Sequence, residues 1–146
     1  MAVTLPTQGG DSGTWGTELN AFITGCGACY LGEVAAVDLN TATAKTTLYT
    51  VPASHKAIIS HVLIMNPSAS LAGCTDVDFG SGATCTTWVQ NVDLSGMTAT
   101  SDYRLMVSTG IFTVEDAADT FGIYVNTASS GAATARIIVF GMEIAA

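Results

Sequence analysis

The chain is 146 residues long, enough for a single domain that buries roughly two thirds of the surface its unfolded form exposes. Twelve acids against Lys45, Lys56, Arg104 and Arg136 give a net charge of −8, which leaves no basic patch for nucleic acid or for an anionic membrane surface. Hydrophobic residues make up 49% and charged ones only 11%, so Thr, Ser, Gly and Ala must cover most of the exterior, a surface suited to permanent contact with other subunits.

The first twenty residues carry no positive charge and no apolar run ahead of a cleavage site, so synthesis in the cytoplasm without a targeting signal is expected. Apolar stretches such as Val62 to Met65 fall far short of the roughly 20 residues that span a bilayer. Residues 1–32 read as an N-terminal docking arm. Leu5-Pro6-Thr7-Gln8-Gly9-Gly10-Asp11-Ser12-Gly13 is punctuated by Gly and Pro and reads as extended or turning chain. Trp15, Leu19, Phe22 and Ile23 then recur at the spacing of one helical face, with Ser12 or Thr14 as N-cap and Gly25 as terminator. A helix this short is marginal alone in water and needs something to dock on. Leu5, Pro6, Trp15, Leu19, Phe22 and Ile23 are therefore the candidate partner-binding residues.

From Glu33 the texture changes to short β-rich runs divided by turns, and residues 33–146 read as a β-sandwich domain. Strands are expected near 34–39, 45–51, 57–66, 76–79, 86–92, 103–108, 111–114, 120–126 and 133–144. Phe121, Ile123 and Val125 share one face of their run, with Thr120, Tyr124 and Asn126 on the other. Residues 57–65 are nearly continuous in apolar side chains, as in a strand covered on both faces. In the last run Ile138, Phe140, Met142 and Ile144 lie opposite Ile137 and Val139, so one face can line the core and the other calls for a second cover, a neighbouring subunit being the economical one. The expected fold is all-β: one jelly-roll-like sandwich of about eight strands, with an extended arm containing a short helix.

Chemistry-bearing patterns are thin. Cys26-Gly27-Ala28-Cys29 is a CxxC, but glycines flank it and a β-run follows, where a redox motif wants a helix. A zinc site would have to add Cys74 and Cys85, spaced wider than paired zinc ligands. Reduced, partly buried thiols are the expected state, with a disulfide between Cys74 and Cys85 left open. Asp76-Val77-Asp78-Phe79-Gly80-Ser81-Gly82 resembles the start of a calcium loop, yet Thr87 stands where the closing Glu belongs, so a β-bulge or turn with solvated acids is expected. Glu115-Asp116-Ala117-Ala118-Asp119 reads as an acidic connection. His55 falls in a polar turn and His61 in an apolar strand, as a satisfied core imidazole, with no nucleophile elbow or HExxH in the chain. No enzyme activity, cofactor or metal is expected.

The segment from Leu5 to Asn20, with its Gly9-Gly10-Asp11 turns followed by Thr14-Trp15-Gly16 and Leu19-Asn20, resembles one recurring near the start of tailed-phage virion proteins, tail fibres especially. The β-part resembles small phage head-decoration (cement) or head-fibre proteins. The resemblance rests on the stretch from Ser60 to Ser68, on Asp76-Val77-Asp78-Phe79-Gly80, on the stretch from Asp119 to Asn126 and on that from Ala133 to Gly141. It implies a non-enzymatic virion structural protein: a homotrimer of jelly-roll-like domains on the outer capsid surface, with the major capsid protein as partner and no need of a cofactor. Fibre chains bearing the Trp-Gly segment usually continue into long shafts, and this one stops after one sandwich, which favours the capsid. The alternative is a tail or head appendage that binds the host surface, for which exposed Tyr and Trp should gather at loop tips.

Overall fold

The computed structural model describes residues 29–108 and 114–145, and among these there is no helix. The arm residues Leu5, Pro6, Trp15, Leu19, Phe22 and Ile23, with the helix expected there, lie outside the described residues, as does Cys26. Nine strands follow in chain order: β1 (Cys29–Asp38), β2 (Ala44–Thr50), β3 (His55–Met65), β4 (Asp76–Gly80), β5 (Val89–Val92), β6 (Tyr103–Val107), β7 (Val114–Glu115), β8 (Thr120–Thr127) and β9 (Thr134–Ala145). They form two antiparallel sheets. One has the order β1-β9-β3-β6, with β7 paired to β3 beyond the end of β6; the other runs β2-β8-β4-β5.

The period-2 alternation of the sequence sets which side chains meet between the sheets. Val37, Ile59, Val62, Ile64, Ile137 and Val139 come from the five-stranded sheet, and Tyr49, Val77, Phe79, Phe121, Ile123 and Val125 from the four-stranded one, in a single buried cluster. The alternation of Phe121, Ile123 and Val125 thus faces the core as its pattern requires. Trp88 locks the layers together: its indole donates to the Ile59 carbonyl at 3.1 Å, and its ring meets Phe121 edge-on at 5.7 Å. Aromatic pairs in this geometry add about 0.5–1.5 kcal/mol beyond the area they bury.

Bulges account for the departures from simple alternation. Ser60 is an extra residue between Ile59, opposite Gly141, and His61, opposite Phe140. It turns the far half of β3 by one position, so that Val62 and Ile64 stay inside. Gly141 sits beside this bulge with no room for a side chain, because a Cβ there would run into the Ile58 carbonyl oxygen. β1 begins at Cys29, earlier than the Val34 start read from the sequence, and two register shifts along it break the alternation that marks a strand. β5 begins at Val89 rather than Thr86: Thr87 Oγ1 accepts from the Ser81 amide and the Trp88 amide donates to Phe79, so residues 86–88 close a turn.

Candidate interaction surface

The two outer faces of the sandwich differ in polarity. On the four-stranded sheet the outward positions are Lys45, Thr47, Asp78, Thr120, Tyr124 and Asn126, and their polar atoms are largely satisfied by one another. Asn126 Nδ2 donates to Asp78 Oδ2 at 2.7 Å and to Asp76 Oδ1 at 3.3 Å, while Asp78 Oδ1 accepts from the Asn91 amide at 2.8 Å. Lys45 Nζ donates to the Gly82 carbonyl at 2.6 Å and to Thr120 Oγ1 at 3.1 Å. Asp76 to Gly80 is β4, the strand expected near 76–79, with register shifts along it; Asp78 is buried under its partners and not solvated as the sequence suggested. Among the described residues no group of three or more His, Cys, Asp or Glu is gathered in a metal-binding arrangement.

The outer face of the five-stranded sheet is apolar. Residues directly opposite in an antiparallel ladder share a face, and the register lines up successive rows across this one. Tyr30, Phe140, His61 and Val107 form one row; Ile138, Leu63 and Leu105 the next; Met65 and Tyr103 follow beside Arg136. Toward the other end, Ile58 stands between Met142 and Val114, and Ile144 lies opposite Lys56. Every large hydrophobic residue found exposed among the described residues belongs to this face: Tyr30, Tyr103, Leu105, Val107, Val114, Met142 and Ile144. Tyr103 is 75% exposed and Leu105 57%. A shallow depression at one end is lined by Cys29, Tyr30, Leu31, Met142 and Glu143.

The expectation of a second apolar face on β3 and β9 therefore holds, but half of it is open. Ile58, Leu63 and Met65 are only partly buried, where the sequence suggested a strand covered on both sides. His61 belongs to this open face, not to the core, with Nδ1 2.8 Å from Ser60 Oγ. The bulge at Ser60 shifts it there. The strand expected near 103–108 is β6, and the alternation of Tyr103, Leu105 and Val107 along it, which the sequence reading did not single out, puts all three on this face.

The two cations of the apolar face are paired, and Asp38 stands at its far end opposite Thr134. Arg136 Nη2 lies 2.5 Å from Glu33 Oε2, and Lys56 Nζ 2.7 Å from Asp116 Oδ1. Exposed pairs of this kind contribute little to stability, but they leave the face close to neutral. Glu143 turns inward at the margin and accepts from Tyr49 Oη at 2.5 Å; burial and this contact raise the phenol above its usual range.

The remaining titratable groups are structural. Cys74 and Cys85 are buried and unbridged. Burial, with Asp93 and Asp76 nearby, pushes the Cys74 thiol up to about 11, and burial also raises Cys85, so neither is a ready thiolate. Glu115 on β7 is not part of a solvated acidic connection as the sequence suggested: it is buried opposite Ala57, and its Oε1 has no hydrogen-bond partner among the described residues. Burial raises its carboxyl above the ordinary value, Asp119 and Asp116 add to this, and Ser81 and Lys45 oppose it.

No protein-family model matches the chain. No curated protein matches it either. Among solved structures the chain is similar to one in the capsid asymmetric unit of cyanophage Pam1, at 21% identity and a TM-score of 0.48, over 81% of this chain and 88% of that one.

Proposed function

We propose that this chain is a non-enzymatic structural component of a tailed-phage virion, a decoration or cement protein that binds the outer capsid surface as an oligomer and stabilises the head. The observation that carries the reading is the apolar outer face of the five-stranded sheet. A contiguous exposed apolar surface of this size marks a protein contact, and the charged skin that would keep a free monomer dispersed is thin. The strand order, β1-β9-β3-β6 over β2-β8-β4-β5, supports the jelly roll within this reading, since the chain passes back and forth between the sheets as two interleaved Greek keys do. The resemblance of the segment from Leu5 to Asn20 to tailed-phage virion proteins supplies the setting, and the major capsid protein is the expected partner of that arm.

The mechanism is association alone. A cement protein adds contact area across seams between capsomers, and no cofactor or chemical step is involved. Particles assembled with and without the chain test this: decorated heads should survive heating to a higher temperature before releasing DNA. Equal heat resistance, with the protein absent from purified heads, would contradict the reading. A host-binding appendage would instead leave head stability unchanged and alter adsorption to cells.

A further inference from the structure

We propose that the outer face of the five-stranded sheet is covered by a second copy of this chain, a deepening that rests on the oligomeric part of the reading above and names its contact. Charge favours a like partner. Two copies with a net charge of −8 repel each other, so they can meet stably only where the surface is locally neutral. This face is such a place: its Glu33–Arg136 and Lys56–Asp116 pairs cancel. Of the other described acids, Asp38 stands at the far end of this face, opposite Thr134 and held by Asn40 and Thr41, and Glu143 is at its margin, bonded to Tyr49; Asp76 and Asp78 are on the opposite sheet, Glu115 is buried, and Asp93, Asp102 and Asp119 lie in connections. A basic partner would have no reason to choose the least acidic surface of the molecule. A neutral apolar face is complementary to another of its kind, and every copy carries one.

Area points the same way. β3 has 11 residues and β9 has 12. At about 3.3 Å per residue and about 4.8 Å between four strands, the face measures roughly 36 by 19 Å, or about 700 Å² per copy. Stable protein contacts bury about 800 Å² on each partner, so this face is large enough to be most of one. The third support is β6, which presents Tyr103, Leu105 and Val107 beside a strand edge that no other described strand pairs. Edges this apolar are usually shielded by charge, proline or a covering element; a second copy across the face supplies the cover.

Light scattering of the full chain at micromolar concentration should give an oligomer. Leu105→Asp, at an exposed position where the fold tolerates a charge, should reduce it to a monomer with an unchanged β circular dichroism spectrum. Thr47→Asp, on the outer face of the other sheet, should leave the oligomer intact. A monodisperse wild-type monomer would overturn the proposal, as would a Leu105→Asp protein that stays oligomeric. If Leu105→Asp remains oligomeric and loses only its attachment to heads, the face meets a capsid partner and the virion reading survives without this inference. If the wild type is monomeric and Leu105→Asp lowers its melting temperature, the face is covered by the chain's own residues 1–28, and the inference again falls. A Leu105-dependent oligomer that never appears in particles would leave the inference standing and remove the virion reading.

Discussion

Leu63 of β3 and Leu105 of β6 stand directly opposite each other on the outer face of the five-stranded sheet, and Ile138 of β9 flanks Leu63 on its other side. A row of three aliphatic side chains across a sheet is ordinary inside a sandwich. Here the row faces outward, on a layer whose inner side is already filled by Val62, Ile64, Ile137 and Val139. On the proposed reading the five-stranded sheet is the middle layer of a larger assembly, and the predictions below separate what holds the sandwich from what that outward face does.

Phe121 is the keystone of the inner side. It is fully buried and meets Trp88 edge-on, and Trp88 reaches across to the Ile59 carbonyl. Phe121→Ala should cost about 3–5 kcal/mol, measured by urea denaturation. A loss below 1 kcal/mol, to order of magnitude, would mean the sheets are not held together at this point.

Gly141 provides a complementary test by overpacking. Gly141→Ala places a methyl group against the Ile58 carbonyl beside the Ser60 bulge. Such insertions typically cost about 1–3 kcal/mol, so the melting temperature should fall. An unchanged melting temperature would show that the bulge yields freely.

Glu115 makes stability depend on pH. Its carboxyl is raised by burial, so the fold favours the protonated form; the stability this contributes is present below the ordinary carboxylate value and is lost as pH rises through the raised one. Glu115→Gln removes that loss. Relative to wild type, the variant should gain stability as pH rises above the ordinary carboxylate range in urea titrations. A stability difference that does not vary with pH would mean that Glu115 ionises in the folded protein as readily as in the unfolded chain.

The thiols should be inert. Cys74 and Cys85 are buried and their ionisation is disfavoured, so iodoacetamide should leave both unmodified in native buffer and label both in denaturant. Replacing Cys26, Cys29, Cys74 and Cys85 together by Ala should cost some stability and leave assembly onto particles intact. Assembly lost and then restored by zinc would establish a metal role.

Much of the fold was legible because alternation survives wherever a strand is regular. Thr120 to Asn126 is the clearest case, and its inward side chains are those the pattern names. The doubled apolar pattern of β9 likewise announced a face in need of cover. What stayed hidden was set by backbone detail. The start of β1 was lost to its register shifts, and residues 86–88 have strand-forming side chains but are held in a turn by Ser81 and Phe79. The placement of His61 depends on one inserted residue, since a single-residue slip exchanges the faces of everything beyond it. The breadth of the candidate surface comes from adding β1, β6 and β7 to the face of β3 and β9, a consequence of sheet order that no local pattern encodes.

The arm is tested apart from the sandwich. The first described strand begins at Cys29, so deleting residues 1–25 leaves every described strand intact. The truncated protein should keep its β circular dichroism and bind heads poorly, and Trp15→Ala should give a milder form of the same defect, because a Trp filling a pocket is a frequent hot spot. Unimpaired binding by the truncated protein would assign docking to the sandwich alone.

The most direct test of the central claim is the number of copies of this chain per purified particle, measured by quantitative mass spectrometry against the major capsid protein of the same heads. A capsid decoration protein should be present at a copy number comparable to that of the major capsid protein, in proportion to the seams it covers. A few copies per particle, or none, would contradict the account and place the chain on an appendage or outside the virion.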